Sequence, residues 1–167
     1  MAAITWNGVG FYAVTIGDAY HITTAGNYAF CLMNQYRPPI HGALYTGEAV
    51  DIGERVYSHS TQGGRLDDAL HAGATHMIIS HDFPSYTGRC DLETLLRYEL
   101  RPPLNREWAP ALETAYAAAQ RLKLYPLIFK YAAQLAQIQA AEQLRRQRYA
   151  LADALNDYRP GAIRSRH

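Results

Sequence analysis

A chain of 167 residues with 49% apolar side chains and a net charge of +1 can close one domain, or a small domain with a helical extension, around a real core. That composition excludes global disorder, and no apolar run is long enough to span a membrane. Two cysteines, Cys31 and Cys90, occur without a CxxC pair, and no charged-then-apolar signal segment opens the chain, so a cytoplasmic protein with reduced thiols is expected.

The charge is unevenly spread. Residues 1–106 hold seven Lys/Arg against ten Asp/Glu, whereas residues 121–167 hold nine against three. A basic C-terminal third suits contact with nucleic acid, but a solvated helix face has the same composition.

In chain order, residues 9–16 (VGFYAVTI) form an apolar run that predicts a strand. Residues 28–34 (YAFCLMN) are uncharged and rich in strand formers, which predicts a buried strand. Arg37-Pro38-Pro39 breaks it, because proline has no N–H to give to a ladder. A short strand over 43–46 (ALYT), ended by Gly47, then pairs with the preceding one as a hairpin with a long loop. Residues 49–60 predict a helix, with Ile52 and Val56 on one face and acidic Glu48 and Asp51 at the positive end of its dipole. Gly63-Gly64 separates it from a short helix over 66–72. Residues 75–80 (THMIIS) predict a third strand, and a loop with Pro84 and Gly88 leads to a helix over 90–100, stopped by Pro102-Pro103. Helices over 110–124 and 126–157 follow, the second opened by Pro126.

The expected fold is therefore α+β: a small three-stranded, mainly antiparallel sheet flanked by helices, with a C-terminal helical extension. It divides the chain into an N-terminal strand or extension (1–25), a central domain (26–106), a helical extension (107–158) and a flexible basic tail (159–167).

Six polar residues fall on these elements in suggestive order. Tyr28 lies on one hairpin strand and Tyr45 on the other; Arg55 and His59 stand four apart on one helix face; Glu93 begins the later helix, and Asn105 follows the prolines that stop it. Singly, each has an ordinary explanation: core tyrosines, a surface Arg-His pair, a Glu93–Arg97 helix pair, a turn asparagine. His71, His76 and His81 do not add a zinc site, since residues five apart on a strand face opposite ways and no cysteine joins them.

Taken together, the six resemble the GIY-YIG nuclease family. Its first motif corresponds to Gly26-Asn27-Tyr28 and its second to Tyr45-Thr46-Gly47, continuing as YTGEAVDIGERVYSH with Arg55 and His59 in the family's places. The segment Glu93-Thr94-Leu95-Leu96 through Pro103-Leu104-Asn105 is similar to the family's E…LL…P-x-LN block. The resemblance covers roughly residues 26–106. Asn27 and Thr46 replace isoleucines that are structural in the family, and the YRPPIHG segment lengthens the hairpin loop.

The resemblance implies a divalent-metal-dependent endonuclease that hydrolyses DNA phosphodiesters. Glu93 would hold one Mg²⁺ or Mn²⁺ ion, and Arg55 would grip the scissile phosphate. Tyr45 would lie nearest the attacking water, with Tyr28 and His59 as its partners. Nearby Arg⁺ and a cation would lower a phenol from its ordinary value of about 10, with His59 accepting a proton. Asn105 would fix the metal-bearing helix or a phosphate by hydrogen bonding. The basic Arg145, Arg146 and Arg148 would meet DNA phosphates, or the C-terminal helices would join two copies as a homodimer. The competing expectation is a catalytically silent nucleic-acid-binding or oligomerisation protein on the same fold.

Overall fold

The computed structural model describes residues 3–33, 39–61, 64–105 and 108–157. The chain opens with β1 (Ala3–Trp6) and β2 (Val9–Thr15), joined by Asn7-Gly8. Both linking residues have positive φ, 49° and 88°, the backbone of a tight hairpin turn whose twist matches that of the flanking strands. A single helical turn, α1 (Ile16–Ala19), follows, its end capped by the Thr15 hydroxyl, which accepts from Asp18 N–H at 3.2 Å.

Next come β3 (Gly26–Cys31), a 3₁₀ turn (Pro39–Gly42) and β4 (Ala43–Ala49). Helices α2 (Ile52–Thr61) and α3 (Arg65–His71) lead to β5 (His76–Ser80). The chain ends with α4 (Tyr86–Leu100), α5 (Leu112–Arg121) and α6 (Tyr125–Asp157). All pairings in the sheet are antiparallel, in the order β1-β2-β5-β3-β4.

The α+β class with flanking helices and a C-terminal helix holds, but the sheet has five strands, not three. The reason is the N-terminal hairpin: β2 does not stop at the edge of a separate extension but pairs with β5, Tyr12 opposite Ile79, and carries β1 with it. Other boundaries move too. The strand at 43–46 runs on through Gly47 to Ala49, so α2 starts at Ile52 rather than at 49, where Asp51 Oδ1 accepts from Glu54 N–H at 2.8 Å. Helix α4 starts four residues before its expected start at 90, because Ser85 caps it by accepting from Gly88 N–H. The Arg37-Pro38 part of the loop break, Gly63 and the tail from Arg159 lie outside the described residues.

Strand β3 is buried along its whole length. Alternate residues leave a strand on opposite faces, and the two faces of β3 feed two cores. Ala29 and Cys31 pack with Leu92, Leu95 and Leu96 of α4 and with Ala115, Ala118 and Ala119 of α5. Tyr28 and Phe30 pack with Ile52 and Val56 of α2 and with Leu66 and Ala69 of α3. Both cysteines are free thiols, and burial pushes the Cys31 thiol up to about 12, so it behaves as a small apolar side chain.

One compact unit spans Met1–Tyr131. Its last piece is the start of α6, where Leu127 and Tyr131 are buried and the Tyr131 hydroxyl donates to Glu99 at 2.9 Å. The second unit, Ala132–His167, consists in its described part of the remainder of α6. It exposes Ile138, Leu144, Tyr149, Leu151 and Leu155 among polar residues. Among the described residues, no helix is long and apolar enough to cross a membrane.

Gly47 sits opposite Tyr28 in the β3–β4 pairing, and a Cβ there would lie 2.7 Å from the Tyr28 hydroxyl. Glycine is thus needed for the space above a neighbouring ring, not to end the strand. Gly47→Ala is expected to lower stability by about 1–3 kcal/mol through overpacking. Urea unfolding checks this; an unchanged midpoint would show that the Tyr28 ring yields at no cost.

Candidate active site

The adjacent strands β3 and β4 deliver Tyr28 and Tyr45, and α2 delivers Arg55 and His59 on successive turns of one face. The four meet near the β4 edge of the sheet. Tyr28 Oη and His59 Nε2 are 2.8 Å apart. The His59 ring stands edge-on to Tyr45, with centroids 5.3 Å apart, and the two tyrosine rings are 6.2 Å apart. Phe30 forms a floor to the group, stacked on Tyr45 at 5.9 Å. Arg55 is exposed, and its charge acts on both tyrosine hydroxyls. The site therefore grades from a closed interior at Tyr28 and His59, through half-buried Tyr45, to solvent at Arg55.

Glu93 stands on α4, whose leucines pack in the other core, within electrostatic reach of this group. It is half-buried in the middle of α4, not at its beginning, and its charge acts on Tyr28. The residue one turn earlier, Arg89, is 3% exposed and anchors that helix to the strands. Its Nε donates to Glu48 of β4 at 3.0 Å, its Nη1 donates to the Pro84 carbonyl, and its own carbonyl accepts from Asn27 Nδ2 of β3 at 2.8 Å. Asn27 is thus a buried structural residue. Thr46 is buried too, on the face opposite Tyr45.

Asn105 holds a strand, not the helix that bears Glu93. Its Nδ2 donates to the Thr46 carbonyl at 2.9 Å, and its Oδ1 accepts from Thr46 N–H at 3.0 Å. Both hydrogen bonds grip the β4 backbone directly after Tyr45, on a strand edge that has no ladder partner. Asn105 therefore sets the position of Tyr45.

The electrostatics differ from the expectation of an easily ionised phenol. Burial, reinforced by Tyr45, pushes the Tyr28 hydroxyl well above the ordinary tyrosine range; Arg55 pulls it down and is outweighed, and Glu93 adds to the rise. Tyr28 is a neutral phenol in the protein on its own. Burial also lowers His59, to about 4, with help from the charges of Arg55 and Arg65, so its ring is neutral at pH 7. Burial draws the Arg55 guanidinium down, but Tyr28 and Tyr45 more than offset this.

A cavity of about 460 Å³ opens beside Arg55 and is lined also by Glu48, Asp51, Glu54 and Ser58. Two of its three carboxylates are engaged, Glu48 with Arg89 and Asp51 in capping α2. Among the described residues, no group of three or more His, Cys, Asp or Glu side chains converges as a metal cage. The donor set at the tyrosines is one hard carboxylate, Glu93. That fits Mg²⁺ or Mn²⁺, which hold most of their shell as water and phosphate oxygen, and not an all-protein zinc or calcium site. His71, His76 and His81 are engaged separately, with the Asp67 carbonyl, the Thr75 hydroxyl, and Tyr12 together with the Ala25 carbonyl.

The basic cluster stands apart from these contacts in the chain. Arg145, Arg146 and Arg148 are exposed on α6 within the second unit, where Arg145 lies over the Tyr149 ring at 5.5 Å. Sequence reasoning missed three members of the site: Phe30, Arg89, and Arg65, whose backbone N–H meets His59 Nδ1 at 3.2 Å. Arg89 had a legible signal, since it stands one helical turn before Glu93. The other two had none.

His59 links the site to stability. Its folded value of about 4 lies below the ordinary 6.5, so on acidification the unfolded chain takes up a proton that the folded one refuses. This contribution is fully present above pH 6.5 and is lost as pH falls from 6.5 through 4. The stability difference between the wild type and His59→Gln is therefore expected to shrink across that window, measured by urea unfolding at fixed ionic strength. A difference independent of pH would show that His59 is not held neutral by the fold. No known protein family matches this chain, and neither does any curated protein or solved structure.

Proposed function

We propose that this chain is a divalent-metal-dependent endonuclease acting on DNA by GIY-YIG-type chemistry. The observation that supports it most is convergence: four residues chosen from sequence spacing, Tyr28, Tyr45, Arg55 and His59, form one contact group, with Glu93 in electrostatic reach. Residues chosen at random along two strands and a helix would not gather around one hydroxyl.

Phosphodiester hydrolysis needs a positioned water, charge compensation on the phosphate and help for the leaving oxygen. One Mg²⁺ or Mn²⁺ ion on Glu93 would polarise the scissile phosphate and stabilise the leaving 3′ oxygen. Arg55, the exposed cation of the group, binds a phosphate oxygen by charge-assisted hydrogen bonds. Tyr45, half-buried between Arg55 and His59, orients the attacking water through its hydroxyl. Tyr28 and His59 lie behind it and keep that hydroxyl in a dry, fixed frame. Asn105 secures Tyr45 from the other side through Thr46. Arg145, Arg146 and Arg148 hold DNA phosphates nonspecifically.

Plasmid nicking with Mg²⁺ or Mn²⁺ tests the catalytic assignment. Arg55→Ala and Glu93→Ala are each expected to lower the rate by roughly 10²- to 10³-fold or more. Undiminished activity in both variants, or none in the wild type with either metal on single- and double-stranded DNA, would leave the silent DNA-binding or oligomerisation protein as the better reading. For the basic cluster, replacing Arg145, Arg146 and Arg148 by Ala is expected to reduce the slope of log affinity against log salt by up to about 3. An unchanged slope in a filter-binding titration would remove these arginines from the DNA interface.

A further inference from the structure

Arg65 is the first residue of α3, and its backbone N–H points at His59 Nδ1 from 3.2 Å. A backbone amide can only donate, so Nδ1 must present a lone pair. A neutral imidazole carries a single ring proton, which must then sit on Nε2. Nε2 lies 2.8 Å from Tyr28 Oη, so the buried hydrogen bond between the two runs from histidine to tyrosine.

The turn that supplies the amide is tightly seated. Gly64 has an extended backbone with φ −77° and ψ −176°, and a Cβ on it would lie 2.5 Å from the His59 carbonyl oxygen. Only a residue without a side chain lets the start of α3 approach His59 this closely.

We propose that the Arg65 amide is a positioning group that holds His59 as an Nε2–H donor to Tyr28, so that His59 supports charge on the Tyr28 oxygen and does not take its proton. Tyr28 Oη then accepts from His59 Nε2–H, and the nearby Arg55 charge favours negative charge on the same oxygen. This reverses the direction expected from the sequence, in which His59 is a proton acceptor. For His59 to accept at Nε2, the ring would have to move its proton to Nδ1 and give up the Arg65 hydrogen bond. The consequence for catalysis rests on the nuclease reading; the direction of the hydrogen bond does not.

The test is the ring-nitrogen signature of His59 in the ¹⁵N-labelled full chain at pH 7, compared with Arg65→Pro and Arg65→Ala. Proline is tolerated at the first position of a helix, and the extended Gly64 suits the residue before a proline, so Arg65→Pro removes the N–H and sets its ring carbon where the proton stood, which forces the His59 ring out of that contact. Arg65→Ala keeps the N–H and removes only the side chain with its 2.6 Å ion pair to Asp68. Wild type and Arg65→Ala are expected to show Nδ1 unprotonated and Nε2 protonated, and Arg65→Pro a mixture of tautomers. In plasmid nicking, kcat of Arg65→Pro is expected to fall roughly 10- to 100-fold below that of Arg65→Ala, with KM changed far less.

A wild-type ring protonated on Nδ1, or an Arg65→Pro ring with the wild-type signature, would overturn the proposal. Should Arg65→Pro not fold, the wild-type and Arg65→Ala spectra decide it alone, since a proton on Nδ1 in either is incompatible with the amide contact. A wild type with the expected ring but no activity on DNA would instead overturn the nuclease reading and leave the hydrogen-bond direction standing.

Discussion

Tyr28 sits on a strand buried on both faces, so its hydroxyl must be satisfied inside the protein or cost stability. Much of the site follows from that constraint. His59 meets the hydroxyl from α2, and Gly47 leaves the room for the ring to lie across β4. Gly64 lets α3 close over His59 from behind. Three elements that are separate in the chain are thereby brought to one oxygen atom, and their packing is specified by polar contacts as well as by apolar area.

The same constraint separates two roles for tyrosine. Tyr28 is fully enclosed and strongly protonated, whereas Tyr45 is half-buried at the sheet edge, where a water or substrate can reach it. Arg55 bridges the two environments electrostatically, its charge acting on both hydroxyls while it remains exposed. An arrangement in which one phenol supports and the other faces the reactant is consistent with the proposed hydrolysis. It needs no ionised tyrosine before substrate binds.

On the opposite face, Arg89 does for α4 what His59 does for α2. A nearly inaccessible guanidinium would be costly without partners. Glu48, the Pro84 carbonyl and the link from Asn27 to the Arg89 carbonyl give this segment contacts to β3, β4 and the preceding loop. These contacts set where Glu93, one turn on, stands relative to the tyrosines. Helix α4 packs its leucines in the core on the other face of β3 from Tyr28, and the Glu93 charge acts on the Tyr28 hydroxyl from there.

From sequence alone, the α+β class, the hairpin of β3 and β4, helices α2 to α6 to within a few residues, and the grouping of Tyr28, Tyr45, Arg55 and His59 were legible. Local periodicity and order along the chain carry that information. The Asn7-Gly8 pair was an available hairpin signal, and reading it would have added β1. That β2 joins β5, making five strands, depends on a long-range pairing that no local pattern encodes. The role of Gly47 was misread as a strand end because the ring that needs its space lies on the neighbouring strand. Asn105 reads in the chain as a turn residue, or as a hydrogen-bonding group for the later helix or a phosphate, but only the fold places it against the Thr46 backbone. The direction of the His59–Tyr28 hydrogen bond was beyond the sequence altogether. It is decided by a main-chain N–H, which every residue but proline possesses, and tertiary packing alone determines where that group points.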